Sequence, residues 1–454
     1  MRFELTKKFI STLKKIIHIS DIAALSQKMF GKHSADIAEI MKELSFDEAL
    51  ALYKQLDEKK AAEVLVKLDE DLREKILASL TTKDIATKYI DNLSSDDAAD
   101  VISELPDQLQ DEVLKHIETE DAGQARDIVD LMNYEEGTAG ALMAKELIQV
   151  NWNDTVWECV REMRRQAETV QNVYVVYVVD EEHKLKGILP LKKLLTTPLR
   201  TKIMEVCNPD VISVKTNAAS EEVSQIMEKY DFVVLPVVDG LGKLVGRITI
   251  DDVVDVMREE AGKDYQLMSG ITQNIEVDDK VWVISRARLP WLLVAMLGGV
   301  VGSELIGKYE GQIQIHPEMA FFMPLIAAMG GNVGVQSSAL IVQGLANQTI
   351  GTSGIFSKLL KELSVGLFNG IICSVLLLSY NLLFSDTLAL SLTVSIALLS
   401  VILFAAIFGT FVPLILNKYK IDPALATGPF ITTSNDIIGI SIYFTIGRLM
   451  YGMF

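Results

Sequence analysis

Asp436 is the single charged residue between Ala424 and Arg448 in the last apolar run of the chain. Thr432 and Thr433 place two hydroxyl groups one helical turn before it. An ionised carboxylate in hydrocarbon is costly, so it usually faces a bundle interior or a wet path and marks an ion or proton route. A carboxylate that is protonated, or satisfied by a neighbouring helix, is the alternative. The oxygen groups crowded beside Asp436 favour a cation route.

A second set of polar residues interrupts an earlier apolar run, in the segment GGNVGVQSS. Gly330, Gly331 and Gly334 weaken a helix there. Asn332 and Gln336 lie one turn apart and bring amide groups to the same depth. Non-helical backbone in a bilayer is tolerated where it lines water, and its freed carbonyls could then coordinate a cation. Close helix packing through small residues is the alternative, but the two amides favour a pore.

The ligands in both segments are oxygen atoms, and this selects the kind of cation. Mg²⁺ keeps several of its waters and binds through one or two carboxylates. Soft transition metals prefer Cys and His, and the apolar runs offer only Cys373. Oxygen ligands do not exclude Mn²⁺, so another divalent cation remains an alternative.

Five apolar runs are long enough to cross a bilayer. They cover residues 289–306, 320–346, 359–383, 388–416 and 424–450. Basic residues concentrate before the first run and in the connections after the second and fourth runs, which would all lie on the same side of the membrane. They are Arg286, Arg288, Lys358, Lys361, Lys418 and Lys420. Because basic loops stay in the cytoplasm, we expect a multi-pass protein of a bacterial-type plasma membrane. Its N-terminus would be cytoplasmic and its C-terminus outside.

The net charge of −18 is concentrated before the apolar runs. Residues 281–454 carry seven acids and eight bases, whereas residues 1–280 carry 54 acids and 35 bases. Such an acidic segment attracts cations and repels nucleic acid, so nucleic-acid binding is not expected. The five histidines are scattered and no phosphate loop or nucleophile elbow is present. We therefore expect no enzymatic activity, and a flux that runs down its electrochemical gradient.

Residues 44–106 contain a repeat whose unit, about 12 residues long, is predicted to be one short helix. Leucines recur in steps of 12, with a single step of 13, at Leu44, Leu56, Leu68, Leu80, Leu93 and Leu105. The residue after each leucine is a helix starter, namely Ser45, Asp57, Asp69, Thr81, Ser94 and Pro106. A single short helix cannot bury its own apolar side, so the units should stack into an all-α superhelix.

A different repeat occupies residues 137–265, where β-branched runs are bounded by turn residues. Its two copies are offset by 59 residues, so that Asp180 matches Asp239 and Gly187 matches Gly246. The segment resembles a tandem pair of CBS domains over roughly residues 138–258. Such pairs commonly sense adenine nucleotides or metal in the cleft between the copies.

The resemblance to CBS domains implies that ATP binds, with Tyr177, Phe232 and Pro236 as candidate nucleotide contacts. The acid that contacts ribose in many copies is missing from the first copy, but the second contains Asp251 and Asp252. This departure weakens the expectation of nucleotide binding.

A charged helix is expected to join this segment to the apolar runs, from Asp251 to about Trp282. Asp252, Asp255 and Glu259 are spaced i, i+3 and i+7, so they share one face of that helix. A solvated linker is the simpler interpretation. The face lacks a lysine at i+4 to relieve the repulsion, which favours bound cations.

Taken together, the chain resembles the MgtE family of magnesium transporters over essentially its whole length. The matching features are the superhelix, the CBS pair, the connecting helix, the GGNxGxQS segment and the DPAL…TTxxD segment that ends at Asp436. The resemblance implies an all-α N-domain, an α/β CBS pair, a connecting plug helix and a five-helix transmembrane pore domain. The corresponding domains would be residues 1–136, 137–203, 204–258, 259–284 and 285–454.

The resemblance also implies a homodimer with one pore, in which Asp436 of each subunit holds hydrated Mg²⁺. Intracellular Mg²⁺ would bridge acidic faces and close that pore. The implied sensor carboxylates are Asp97, Asp100, Asp252, Asp255, Glu259, Glu260, Asp264 and Asp422. The chain departs from many relatives at Val335, where they carry Asn, and at Gln343, where they carry Arg.

Two alternative functions remain open at this point. One is a transporter of Mn²⁺, Co²⁺ or Ca²⁺ through the same pore. The other is a membrane-anchored CBS sensor that transports nothing, for which Asp436 would be dispensable.

Overall fold

The computed structural model describes residues 5–19, 21–167, 170, 172–273, 275–277, 279–346, 355–384 and 387–452. It divides into two compact units, Met1–Met257 and Arg258–Phe454. The division falls inside a single helix, so the two units are described separately.

The first unit begins with short helices. Their bounds are α1 Lys7–Ile19, α2 Ile22–Met29, α3 Ser34–Lys42, α4 Phe46–Tyr53, α5 Glu58–Val66, α6 Glu70–Ala78, α7 Thr82–Asp84, α8 Ser95–Ser103, α9 Asp107–Glu120, α10 Ala122–Met132 and α11 Ala139–Leu142. One continuous apolar core holds them together and includes the fully buried Ile40, Leu52, Leu65 and Ile102. No single short helix could bury that much surface alone.

The six helix starters expected from the leucine repeat are all N-caps in the structure. They cap α4, α5, α6, α7, α8 and α9. Ser45 forms a capping box with Glu48, in which each side chain bonds the other's backbone N–H. The prediction of stacked short helices is therefore confirmed.

The single 13-residue step of the repeat has a structural explanation. Between α7 and α8 the chain forms a π-helical turn, Ile85–Tyr89, followed by a 3-10 turn, Ile90–Asn92. A π turn accommodates one more residue than an α turn, so it absorbs the additional residue of this unit. Ser94 is then the N-cap residue of α8.

The second half of the first unit contains two small sheets. Their elements are β1 Gln149–Asn151, α12 Val156–Gln166, β2 Val175–Val179, β3 Leu185–Pro190, α13 Leu191–Thr196, β4 Val214–Lys215, α14 Ser220–Tyr230, β5 Val234–Val238, β6 Leu244–Thr249 and α15 Ile250–Met268. The strand orders are β1-β2-β3 and β4-β5-β6. In each sheet the first pair is parallel and the second antiparallel.

The two sheets repeat each other in detail, at the offset read from the sequence. A bulge follows Val178 in one and Val237 in the other. Asp180 accepts backbone hydrogen bonds from residues 182 and 184, and Asp239 accepts them from residues 241 and 243. These two aspartates therefore shape turns.

Helix α15 is shorter than the sequence suggested. It ends at Met268, and the described residues between there and Val281 are not helical. Gly270 has a φ of +79°, Ile271 N–H bonds the Gln266 carbonyl and Gly270 N–H bonds the Leu267 carbonyl. This is the glycine-dependent helix end known as the Schellman motif. The expected continuous helix to Trp282 is therefore wrong.

The second unit consists of long helices. Their bounds are α16 Val281–Lys308, α17 Glu310–Ile315, α18 Met323–Ala346, α19 Ile355–Phe384, α20 Leu388–Lys418 and α21 Gly428–Tyr451, with 3-10 turns at Pro317–Phe322 and Pro423–Ala426. Within the described residues, four helical segments are long and apolar enough to cross a bilayer: Val281–Lys308, Pro317–Ala346, Ile355–Phe384 and Leu388–Lys418. Helix α20 lies innermost and packs against α18, α19 and α21.

Candidate cation sites

A cavity of about 730 Å³ lies in the second unit, and Asp436 lines it. Thr432 and Thr433 of α21, the two hydroxyl residues singled out in the sequence, line the same cavity. The opposite wall comes from α16 through Gly298, Gly299 and Gly302. We refer to this space as the Asp436 cavity.

Glycine residues allow the helices around Asp436 to approach closely. A Cβ on Gly298 would overlap the Thr433 methyl group, and a Cβ on Gly331 would lie 3.6 Å from Asp436 Oδ1. Small residues at helix crossings are how membrane helices bring their backbones together. Gly298 and Gly331 thus set the distances of α16 and α18 from the carboxylate.

The Asp436 carboxylate has no hydrogen-bond or ion-pair partner among the described residues. No described side chain or backbone N–H donates a hydrogen bond to it, and no described base forms an ion pair with it, although Thr432 Oγ1 donates to the Gly428 carbonyl at 3.0 Å. A half-buried carboxylate needs compensation for its lost hydration. A cation that keeps part of its water shell would supply that compensation.

The structure corrects the expected role of the GGNVGVQSS segment. Helix α18 runs without interruption from Met323 to Ala346, so its carbonyls are not freed. Gly334 is buried, and a Cβ there would overlap the Asn435 amide. Gly409 of α20 packs directly on the Gly334 carbonyl. The close-packing alternative is therefore the one that the structure supports for Gly330 and Gly334.

The two amides of that segment do not join the cavity. Asn332 and Gln336 are exposed on the surface of the subunit, and neither lines the Asp436 cavity. Sequence spacing placed them correctly on one helix face. It could not show that this face differs from the face that Gly331 presents to Asp436.

A second cavity, of about 160 Å³, lies within the first unit, and carboxylates dominate its lining. We call it the acidic cavity, and its carboxylates belong to Asp96, Asp97, Glu146, Asp251 and Asp252. Asp97 and Asp252 were expected from the sequence. Asp96 and Asp251 are their neighbours in the chain, whereas no sequence signal marked Glu146.

Hydrogen bonds hold three of these carboxylates in place. Thr249 Oγ1 donates to Asp252 at 2.6 Å, and Ser94 Oγ donates to Asp97 at 2.9 Å. The backbone N–H and hydroxyl of Ser95 donate to Glu146 at 2.9 and 3.0 Å, across 51 residues of sequence. Through Ser95, the start of α8 is thus hydrogen-bonded to the segment that precedes β1.

The electrostatics of the acidic cavity favour a bound cation. Burial, with the neighbouring Asp96 second, raises the pKa of Asp97 to about 6 and that of Asp252 to about 7. Burial also raises the pKa of Glu146. The pKa of Asp100 is raised by burial and by Asp96, although its side chain keeps contact with solvent. These shifts show that the surroundings of the carboxylates disfavour an uncompensated negative charge.

The remaining predicted sensor residues are not brought into this cavity. Asp255 and Glu259 are exposed on α15, Glu260 forms an ion pair with Lys263 at 3.5 Å, and Asp264 is half-buried. Asp422 is exposed, and its side chain caps the turn at Pro423–Ala426.

Across the described parts of the chain, no three His, Cys, Asp or Glu side chains converge at the spacing of a closed metal-ligand set. Carboxylate oxygens such as those of the acidic cavity are ligands for hard cations, of which Mg²⁺ usually keeps several waters.

The three candidate nucleotide contacts lie elsewhere. Tyr177 and Pro236 are buried in their strands, and Phe232 stacks on Tyr230 with ring centroids 5.6 Å apart. Tyr177 packs in the apolar cluster with Val179 and Leu244. Neither cavity is lined by any of the three.

Comparisons with known proteins agree with this architecture. Residues 323–446 match the model of the MgtE family, described as a divalent cation transporter. Residues 32–137 match the MgtE intracellular N domain, and residues 139–199 and 203–259 match CBS domains. The family models thus cover both units of the structure.

Individual relatives match over most of their length. The magnesium transporter MgtE of Thermus thermophilus is 32% identical over 450 residues, which are 98% of this chain and 99% of the relative. The MgtE of Bacillus subtilis is 32% identical over 326 residues, 72% of each chain.

Two solved structures resemble the first unit. The cytosolic domain of the Mg²⁺ channel MgtE in complex with ATP is 35% identical, with a TM-score of 0.50 over 54% of this chain and 99% of that one. The soluble part of a magnesium transporter is 28% identical, with a TM-score of 0.50 over 56% of this chain and 99% of that one. By these matches over its whole length, the chain belongs to the MgtE family.

Proposed function

We propose that this chain transports Mg²⁺ passively across the plasma membrane into the cytoplasm. The observation that carries the proposal is Asp436, a carboxylate without a protein partner among the described residues, which lines a cavity of about 730 Å³. The relatives of this chain described above are magnesium transporters. Oxygen ligands such as the Asp436 carboxylate suit a hard, hydrated cation.

The transporting form is a homodimer with five membrane-spanning helices in each subunit. Helix α21 has 24 residues, enough to cross a bilayer, and it packs against α16, α18 and α20. Its hydroxyl and amide groups beside Asp436 make it less apolar than the other four. The exposed Asn332 and Gln336 lie on a surface that a second copy can cover, where they would face its pore. The N-terminus is cytoplasmic and the C-terminus outside.

Intracellular Mg²⁺ closes the pore by binding to acidic groups of the cytosolic part. The acidic cavity supports this proposal because its carboxylates repel one another, and the raised pKa values of Asp97 and Asp252 reflect that repulsion together with burial. A bound cation offsets the repulsion. Asp100, Asp255, Glu259, Glu260, Asp264 and Asp422 contribute further cation contacts. ATP bound at the CBS pair is a second regulator, supported by the ATP complex of a related cytosolic domain.

Flux into liposomes tests the transport proposal. Purified protein would be reconstituted with an internal Mg²⁺ dye at low internal Mg²⁺, and wild type compared with Asp436→Asn, which keeps the side-chain shape. The matched control is Glu310→Gln, which neutralises an exposed carboxylate that does not line the cavity. We expect flux in wild type and control, and its loss in Asp436→Asn.

Other outcomes would select the alternatives. Equal flux in all three proteins would move the ion site away from Asp436. Absence of wild-type flux from a folded protein would favour a membrane-anchored CBS sensor. Competition by Mn²⁺, Co²⁺ or Ca²⁺ at equal concentration would show whether another divalent cation is the preferred substrate.

A second assay tests gating. Neutralising Asp252, Asp255 and Glu259 together should leave flux insensitive to internal Mg²⁺. Inhibition that persists unchanged would remove these residues from the gating mechanism.

A further inference from the structure

The lining of the acidic cavity includes a basic side chain. Of the described residues that line it, Arg247 alone is basic, and its side chain is 8% exposed. Arg247 lies on β6 two residues before Thr249, so both side chains point to the same face of the strand. Thr249 holds Asp252 through a hydrogen bond of 2.6 Å. The buried guanidinium and the half-buried carboxylate therefore share one wall.

Arg247 is not paired with any of these carboxylates. Its Nη1 donates to the Asn172 carbonyl at 2.8 Å, and its guanidinium carbon lies 5.9 Å from the centre of the Tyr174 ring. Its Nε is buried and has no hydrogen-bond partner in the described part of the chain. Buried arginines are normally paired with acids. An unpaired one at the edge of a carboxylate-rich cavity requires an explanation.

The backbone around Arg247 fixes this arrangement. Its N–H donates to the Ala144 carbonyl at 2.9 Å, and its carbonyl accepts from the Ala144 N–H at 2.8 Å. Ala144 lies next to Lys145, whose N–H donates to Ser95 Oγ at 2.8 Å. The strand that carries Arg247 is thus tied through two residues to the start of α8, which carries Asp96 and Asp97.

We propose that Arg247 sets the concentration of Mg²⁺ at which the acidic cavity fills. The guanidinium is a fixed positive charge that reduces the attraction of the carboxylates for an entering divalent cation. In its absence the cavity would bind Mg²⁺ at lower concentrations and close the pore too early. This inference depends on the proposed gating by Mg²⁺, and it adds the residue that adjusts the threshold.

The test compares two substitutions at this position in the full chain. Arg247→Met keeps most of the packing volume and removes the charge, whereas Arg247→Lys keeps the charge. Arg200→Met removes the same charge from an exposed site outside the cavity and serves as the control. Half-inhibition of liposome flux by internal free Mg²⁺ is measured for each protein.

We expect Arg247→Met to lower the half-inhibitory Mg²⁺ concentration by about three- to tenfold, because one repulsive charge is removed from a poorly screened site. Arg247→Lys and Arg200→Met should stay close to wild type. An unchanged or raised threshold in Arg247→Met would overturn the proposal. A similar change in Arg247→Met and Arg247→Lys would also overturn it, because the contacts with Asn172 and Tyr174 would then be responsible.

A binding measurement separates this inference from the proposed gating. Calorimetric titration of the same full-length variants with Mg²⁺ reports affinity whether or not flux is inhibited. Wild-type flux that ignores internal Mg²⁺ would refute gating. Tighter binding by Arg247→Met would still support the electrostatic role of Arg247, and equal binding would refute it.

Discussion

Asp97 and Asp252 are carboxylates whose surroundings favour the protonated form. Burial raises their pKa values to about 6 and about 7, and the adjacent Asp96 adds to both shifts. A folded-state pKa above the unfolded value means that the folded protein holds more protons in that range. Metal-free stability of the first unit should therefore decline as the pH rises from about 4 to about 7. A bound cation would relieve the same repulsion, so the proposed gating predicts that protons and Mg²⁺ compete.

Inhibition by Mg²⁺ should depend on internal pH. Lowering internal pH from 7.5 to 6.0 protonates this group of carboxylates, so the half-inhibitory Mg²⁺ concentration should rise by about threefold or more. Liposome flux at a series of internal pH values measures the change. Asp252→Asn should flatten the dependence, whereas Asp107→Asn, an exposed site on α9, should leave it intact. A threshold that is independent of pH would contradict the competition.

Most members of the acidic cavity could not be found from sequence spacing. Asp97 and Asp252 were predicted, but Glu146 joins them only through hydrogen bonds to Ser95. No sequence pattern marked Arg247 either. Such groups meet through tertiary contacts between distant segments, and single-sequence patterns carry no signal of those contacts. Asp436, in contrast, was evident because a charge in an apolar run is itself unusual.

Helix starts were predictable residue by residue, whereas helix ends and helix faces were less so. All six residues after the leucines occupy N-cap positions, and Ser45, Asp57 and Thr81 also accept a backbone hydrogen bond from the first turn. The sequence analysis did not use Gly270, whose positive φ ends α15 although the charged pattern continues beyond it. The glycines of α18 were read as helix weakeners, but packing against α20 and α21 stabilises that helix.

The crossing of α18, α20 and α21 depends on Gly334. Replacing it with alanine would force a Cβ against the Asn435 amide and to within 2.8 Å of Ile431 Cγ2. Overpacking of this kind costs about 1–3 kcal/mol, so Gly334→Ala should lower the thermal midpoint of the detergent-solubilised protein by several degrees. Thermal unfolding in detergent measures the shift.

Gly307→Ala provides the matched comparison for Gly334→Ala. Gly307 lies in α16, and a Cβ there would meet nothing within 4 Å. Because alanine favours helix more than glycine does, Gly307→Ala should leave the midpoint unchanged or raise it slightly. Equal destabilisation by the two substitutions would show that the crossing is not tightly packed.

At the scale of the whole molecule, charge and hydrophobicity are divided between the two units. The first unit carries nearly all of the net charge of −18, and the second carries the long apolar helices. Helix α15 belongs to both, because the division falls between Met257 and Arg258. A rigid helix transmits a displacement along its axis, whereas a flexible segment does not.

A flexible insertion in α15 should separate transport from its regulation. Four residues, Gly-Gly-Ser-Gly, placed between Met257 and Arg258 would interrupt the helix. Flux at low internal Mg²⁺ should persist. The half-inhibitory concentration of internal Mg²⁺ should rise by at least about tenfold. Insertion of Glu-Ala-Ala-Lys at the same place keeps a helix and controls for length. Full inhibition with the flexible insertion would show that α15 does not couple the units.

The π turn at Ile85–Tyr89 also bears on how the length of the N-terminal helical units can change. It stores one additional residue inside a helical unit, immediately before the helix that carries Asp96 and Asp97. A single-codon insertion there lengthens the chain without shifting the caps that follow. We therefore expect the N-terminal helices to tolerate changes of length that are not whole repeats, with the downstream carboxylates keeping their orientation.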